Sequence, residues 1–454
     1  MQGNNFNQKD EAIKVSIITQ FYPPDYAATG QLIEELALHL GSQNLQVHIF
    51  TGQPGYAFQK ASAPAVEQMN HVMVRRSRTS QFWSKRIRGK ALNGITFCVR
   101  AGLHLLRVGR KCDVLLLTTA PPYLSILGYL SHLLFGVPYV CLLYDVYPDI
   151  AIQLNVISEQ HYLAKIWRYL NHKIWGSAQH LIVLSPTMKE QIAALYPEVA
   201  DKISVIHSWA EPDWIVPLEK QDNWFAKQHD FVESFTVLYS GNMGRCHDLE
   251  TILETAQLLQ NAAVKFVFIG DGAKRSHCID TVEKLGLTNC CFLPYQDKQL
   301  LPYSLTACDL ALVSVSQNME GLVAPSKIYS ALAAARPIAV ICAPHCYLHQ
   351  MIIDAGCGET FRHQDSRGLA EFILHLSTHS TLAQAMGNAG RHYLQTHFTP
   401  NLIAQQYAQI LRQSVRSPQS WSAAVHQAER QPRRWTGQEE RTKTKRIKNI
   451  RRES

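Results

Sequence analysis

The run Glu320-Gly321-Leu322-Val323-Ala324-Pro325-Ser326-Lys327-Ile328-Tyr329-Ser330 decides how the chain is organised. It follows Leu310-Ala311-Leu312-Val313, an apolar tetrad that reads as a buried parallel strand. It passes into an Ala- and Leu-rich helix stopped before Pro337, and then into a second apolar tetrad, Ile338-Ala339-Val340-Ile341. Strand, loop, helix, strand is a βαβ unit, and in an open α/β sheet the loop leaving a strand's carboxyl end is where ligands sit. The helix start offers free N–H groups and a positive dipole end, which suit a pyrophosphate. Glu320 at the mouth is placed to hold sugar hydroxyls, and Lys327 in the first turn to hold phosphate, a set that fits a nucleotide sugar. The plain alternative is a strand–loop–helix corner with a solvated Glu and Lys.

The same grammar runs along most of the chain. Segments 14–19, 45–51, 114–119, 139–144, 180–185 and 202–207 read as one series of strands. Segments 236–240, 264–269, 291–293, 310–313 and 338–341 read as a second. A restart of the pattern halfway predicts an α/β protein of two Rossmann-like domains, their parallel sheets facing across a cleft. The expected boundaries are a disordered N-terminus over 1–13, a first domain over 14–216 and a second over 217–399. A C-terminal helix over 400–413, crossing back to the first domain, and a disordered basic tail over 414–454 complete the division. Residues 114–144 carry no charge, but Pro121, Pro122, Gly136 and Pro138 cut them into strand, helix and strand lengths, so a membrane span is disfavoured.

Composition narrows the class. The 11 Cys include no C-x-x-C pair, and most lie in apolar runs, which reads as buried free thiols in a reducing compartment. Residues 1–11 are polar, so no signal peptide is expected. The formal charge of +8 is local: between Gln68 and Cys112 stand 11 Lys or Arg and no acid, among them Arg75, Arg76, Lys85, Arg86, Arg88 and Lys90. Aromatic and Leu residues are interleaved, which is how a peripheral protein rests on an anionic leaflet. A solvated helix face is the alternative; nucleic acid is disfavoured because no binding-module motif accompanies the stripe. The first turn, at Thr29-Gly30-Gln31, lacks G-x-G-x-x-G, so a nicotinamide or flavin enzyme is disfavoured. The turn Gly241-Asn242-Met243-Gly244-Arg245 is Gly-rich and opens a helix, where glycines admit phosphate oxygens to the backbone and Arg245 can complete their neutralisation.

The Glu320 loop resembles, residue for residue, the E-G-x-x-x-P-S-K-x-Y loop of a bacterial surface-polysaccharide branch (fucosaminyl- and colanic-acid-type) of the family 4 retaining GT-B glycosyltransferases. The resemblance covers about residues 14–413 and implies a GT-B fold, with the donor mainly on the second domain and the acceptor mainly on the first. It implies that Glu320, Gly321, Leu322, Val323, Lys327 and Ser330 surround the donor. Gly30 matches the glycine that lets backbone approach the donor phosphates, Gly272 lies in the family's second Gly turn, and Tyr295 stands where relatives hold the nucleobase. Asp145-Val146-Tyr147-Pro148 resembles the loop facing the acceptor, which makes Asp145 the candidate to orient or deprotonate the acceptor hydroxyl, with helix capping as the alternative. The chain departs from the wider family at three positions: Ser330 replaces a ribose-holding Glu, and Asn242 and His247 replace an Arg and a Lys.

The expected function is therefore retaining transfer of a sugar, without metal or other cofactor, from a nucleotide-sugar donor to a lipid-linked glycan acceptor in extracellular polysaccharide or O-antigen-type synthesis. The expected location is the cytoplasm, peripheral on the inner face of the plasma membrane, with no nucleic-acid partner. A catalytically silent nucleotide-sugar-binding or membrane scaffold protein and a nucleotide-sugar 2-epimerase stay open as alternatives.

Overall fold

The structure is a computed structural model that describes residues 12–25, 28–54, 63–77 and 87–416. Its first sheet holds β1 (Lys14–Ile18), β2 (Gln46–Thr51), β3 (Val66–Met69), β4 (Val72–Arg76), β5 (Val114–Thr118), β6 (Tyr139–Leu143), β7 (His180–Val183) and β8 (Ile203–Val205). The second holds β9 (Phe235–Ser240), β10 (Val264–Ile269), β11 (Cys290–Leu293), β12 (Leu310–Ser314), β13 (Ile338–Ile341) and β14 (Gly358–Phe361).

The spatial orders are β3-β4-β2-β1-β5-β6-β7-β8 and β11-β10-β9-β12-β13-β14. All neighbours pair in parallel except β3 with β4. Each order reverses once, between β1 and β5 and between β9 and β12, and such switch points open crevices at the strands' carboxyl ends. The central strands β5, β6, β12 and β13 are buried at every position, as continuous Val, Ile and Leu runs demand when helices cover both faces. In the second domain Phe266, Ile341, Leu369 and Ile373 belong to one buried core between sheet and helices.

Three strands escape the apolar-run reading. In β4, buried Val72 and Val74 alternate with exposed Met73 and Arg75, a period of two that the cations disguise. β3 has no buried residue, and β14 begins Gly-Glu-Thr. The β4 alternation corrects one expectation directly. Arg76 does not reach toward a membrane: its side chain is buried, ion-paired to Glu67 at 2.7 Å and bonded to the carbonyls of Pro64 and Pro23 at 3.1 and 2.8 Å. Arg75 is exposed. Lys85 and Arg86 lie outside the described residues, as do the side chains of Arg88 and Lys90.

The helix Pro400–Arg416 packs against the first domain. Arg412 donates to the Gln43 carbonyl at 2.6 Å, Asn401 meets His39 at 2.8 Å, and Tyr407 lies edge-on to Trp209. Further ties join the domains: Lys298 pairs with Glu35 at 3.2 Å, and the Tyr347 N–H donates to Thr187 Oγ at 2.9 Å.

Candidate active site

Two turns, one after β9 at the second switch point and one after its neighbour β10, make a backbone cradle. Gly270 and Gly272 have φ of +135° and +152°, and a Cβ there would stand 2.1 Å from the Gly241 carbonyl oxygen and 2.5 Å from that of Met243. Only glycine permits both the angle and the approach. The turns are then joined by Gly241 N–H to the Ile269 carbonyl and Met243 N–H to the Asp271 carbonyl, each 2.8 Å. Lys327 flanks this cradle, with its Cε 3.5 Å from where a Gly241 Cβ would be. Its Nζ is buried without a hydrogen-bond partner and lies 3.6 Å from the Tyr239 ring centroid. The ring face favours a cation, but burial dominates and holds the amine well below the usual lysine range.

Glu320, after β12, is buried. Its Oε1 accepts from the Ala343 N–H at 3.2 Å and from His363 Nε2 at 3.2 Å. The other His363 nitrogen meets Asp248 at 2.9 Å. Asp248 in turn accepts from the N–H and hydroxyl of Thr251 at 3.0 and 2.9 Å, at the start of the helix Glu250–Leu258. The two carboxylates hold the imidazole charged: bonds to Asp248 and Glu320 lift His363 to about 9 against the opposing effect of burial. Burial pushes Glu320 and Asp248 upward, yet the His363 and backbone N–H bonds outweigh it and hold both below the ordinary range. Glu320 Oε2 is left buried and unpartnered. A cavity of about 540 Å³ opens beside this group, lined by Gln317, Glu320, Ala343, His345, Arg362 and His363 among others.

Asp145 leaves the carboxyl end of β6 and is half-buried. Val323 forms backbone bridges to both Asp145 and Glu320, and the Val146 N–H donates to the Leu322 carbonyl at 3.1 Å. The two loops therefore meet main chain to main chain across the domains. Burial alone lifts Asp145 to about 6. The Tyr147 phenol is raised to about 12, first by burial and then by Asp145 and Cys246.

The remaining expected residues lie in the second domain, except for Gly30 in the first turn of the first domain. Asn242 is exposed and its carbonyl accepts from the Tyr239 hydroxyl at 2.9 Å. Arg245 is exposed, and its carbonyl accepts from Ser316 Oγ at 3.5 Å. Tyr295 is 55% exposed beside the Gly270 turn. Ser330 spends its hydroxyl on the Lys327 carbonyl, 3.0 Å away within its own helix. Gly30 lies against the Phe21–Tyr22 backbone, where a Cβ would come within 3.1 Å. His247 is held neutral, lowered to about 3 by burial and by Lys327, with Nδ1 2.8 Å from the Ser314 carbonyl.

Three residues had no place in the sequence reading. Lys274 sits under the cradle, donating to the His247 carbonyl at 2.7 Å and to Glu250 at 2.9 Å. Asp248 carried a cap signal, an Asp ahead of a helix, but nothing marked it as a partner of His363. His363 carried none, because the strand before it is too short and polar to announce a strand end. Among the described residues no group of three or more His, Cys, Asp or Glu is arranged to hold a metal ion, and no helix is long and apolar enough to cross a membrane.

Residues 28–209 match the family model described as a glycosyl transferase 4-like domain, and residues 220–393 match that of glycosyl transferases group 1. The probable glycosyltransferase WbjE of Pseudomonas aeruginosa is 28% identical over 312 residues, covering 67% of this chain and 75% of that one. The putative colanic acid biosynthesis glycosyl transferase WcaI of Escherichia coli is 33% identical over 97 residues, 21% of this chain and 24% of that one. Among solved structures, sucrose-phosphate synthase of Thermosynechococcus elongatus superposes with a TM-score of 0.71 at 18% identity, over 88% of this chain and 98% of that one. Anabaena HepE in complex with UDP and glucose gives 0.67 at 15% identity, over 88% and 100%. At these identities the structural likenesses speak for the fold.

Proposed function

The chain belongs to the GT-B glycosyltransferases of the bacterial surface-polysaccharide type, and from that premise we propose that it moves a sugar from a nucleotide-sugar donor to a lipid-linked glycan with retention of configuration. The observation that carries this reading is the meeting of the Glu320 and Asp145 loops on Val323. Val323 bridges to the loops of both carboxylates, Glu320, which would serve the donor, and Asp145, which would serve the acceptor.

The donor diphosphate would lie on the Gly241 and Gly272 turns, beside Lys327 and within reach of Arg245. An incoming anion opposes the burial that lowers Lys327, so the ammonium is favoured where negative charge collects on the leaving group. Stabilising that charge is usually a large part of such catalysis. These helix ends and cations would do it without a metal. Glu320, locked by His363 and Ala343, keeps Oε2 for a sugar hydroxyl. Asp145, poised near neutrality, orients the acceptor hydroxyl and accepts its proton. Among the described residues none stands out as a covalent nucleophile, which suits front-face departure and attack. Uracil is the first base to test, because HepE is seen in complex with UDP and glucose. The acceptor's lipid would hold the protein at the cytoplasmic face of the plasma membrane.

Thermal shift with UDP-, GDP-, ADP- and dTDP-sugars tests the donor site. A donor at 100 times its dissociation constant adds about 2.7 kcal/mol. One sugar nucleotide stabilising the wild type and failing with Glu320→Ala supports the reading; no shift from any of them overturns it. Product anomers read by NMR test retention, and full activity after exhaustive chelation tests metal independence.

A further inference from the structure

Three neighbouring helices on the first domain, Ile87–Val108, Ile126–Phe135 and Tyr162–Ser177, turn apolar side chains to solvent. Val99, Leu103, Leu106, Leu134, Ile166 and Tyr169 are each between 51% and 60% exposed. Val99, Leu103 and Leu106 fall at i, i+4 and i+7, one stripe of one helix. Adjacent helices join these stripes into a surface. Leu127 of the second helix packs at Gly102 of the first, and Tyr123, just before the second, meets Trp167 of the third. Right-handed crossovers into β5, β6 and β7 put all three helices on one side of the sheet.

Charge says what covers this surface. None of the three helices contains Asp or Glu, while they carry Arg100, Arg107, Lys165, Arg168 and Lys173. The acids at the border are already engaged: Glu159 and Asp149 with Arg168, and Glu198 with His172. An apolar face whose helices carry cations and no acid complements an anionic bilayer. Residues 417–454 of the same chain hold ten Lys or Arg against four Glu, the same sign of charge as these helices.

The surface is wired to the acceptor loop. Trp167 stacks on Tyr147 at 5.8 Å, Asn171 donates to the Tyr147 carbonyl at 2.7 Å, and Arg168 holds Asp149 at 2.7 Å. Tyr147 and Asp149 follow Asp145 by two and four residues. We infer that this three-helix face lies shallowly in an anionic lipid surface and sets the Asp145 loop at the level where the head of a lipid-linked acceptor emerges. The inference rests on the lipid-linked acceptor proposed above and adds the face and the orientation.

The test uses the full chain with phosphatidylcholine vesicles, with and without phosphatidylglycerol. Two triple variants, at Leu106, Leu134 and Ile166, carry Ser or Glu; a control carries Glu at the exposed Leu258, Leu285 and Leu374 of the second domain. Wild type and control are expected to sediment with anionic vesicles, and both face variants to bind about tenfold more weakly or worse. Their melting temperatures and sugar-nucleotide stabilisation are expected to match the wild type. The Ser variant separates lost apolar area from added charge. Wild-type binding by the Ser variant overturns the inference while leaving the donor-site reading intact. A wild-type dimer that the Ser variant dissolves also overturns it, assigning the face to a second copy. Failure of wild type to bind vesicles, with transfer to a soluble short-chain acceptor preserved, sinks the membrane face and spares the active site.

Discussion

Glu320 and Asp145 both bridge to the backbone of Val323, yet their surroundings push them in opposite directions. Glu320 is buried and is nonetheless held ionised, because a charged imidazole and a backbone N–H reach it. Asp145 has burial as its only resolved influence, and rises to about 6. Burial alone therefore does not decide what a carboxylate does; the partners brought to it do. A carboxylate fixed in its charged form suits holding a sugar, and one poised near neutrality suits moving a proton.

The largest effect is expected at the poised group. Asp145→Asn keeps the shape and removes the proton acceptor, so transfer should fall about 10²- to 10⁴-fold with donor binding unchanged. In the wild type, kcat/KM should climb with pH through about 6 as Asp145 ionises and then level off; the variant should lose that limb. A variant that keeps the wild-type rate and profile would take Asp145 out of the reaction.

Next comes Glu320→Ala, expected to lower kcat/KM roughly 10²- to 10³-fold and to abolish stabilisation by the sugar nucleotide while sparing that by the nucleotide alone. Equal loss of both would move Glu320 from the sugar to the diphosphate or to the fold itself.

His363→Asn should cost about 10- to 100-fold, mostly as a raised donor KM, since His363 acts through Glu320. Its titration adds a signature in stability. The folded pKa of about 9 lies above the unfolded value, so the imidazolium's contribution is fully present below about pH 6.5 and disappears as pH rises through 9. The gap in melting temperature between wild type and His363→Asn should accordingly narrow between these limits. A gap independent of pH would mean that His363 is not charged in the native state.

The smallest effect is at Lys327. If burial strips its proton, nucleotide diphosphate binding near neutral pH should take up a fraction of a proton. Calorimetry in buffers of different ionisation enthalpy reads this directly, and Lys327→Met should remove it. Binding with no linked proton would place the diphosphate away from the amine.

The contrast also marks how far the chain could be read in advance. Both loops were legible because each follows an apolar strand and carries polar residues where a strand should end, as Glu320 does after Leu310–Ser314 and Asp145 after Tyr139–Leu143. β4 was not, because its period of two is written partly in Arg, and Arg76 reads as surface until Glu67 and two carbonyls are seen around it. His363 was not, because a four-residue strand beginning Gly-Glu-Thr leaves no pattern to place it.

Local sequence determined most of the strands, the glycine turns and the two carboxylate loops, since apolar runs, breakers and caps act over a few neighbouring residues. Only the tertiary structure decided which charges meet. Asp248 and Glu320 reach His363 from 115 and 43 residues away, and Val323 joins Glu320 to Asp145. Desolvation and Coulomb interactions depend on distance in space, so the state of each carboxylate is a property of the fold and not of the residues beside it in the chain.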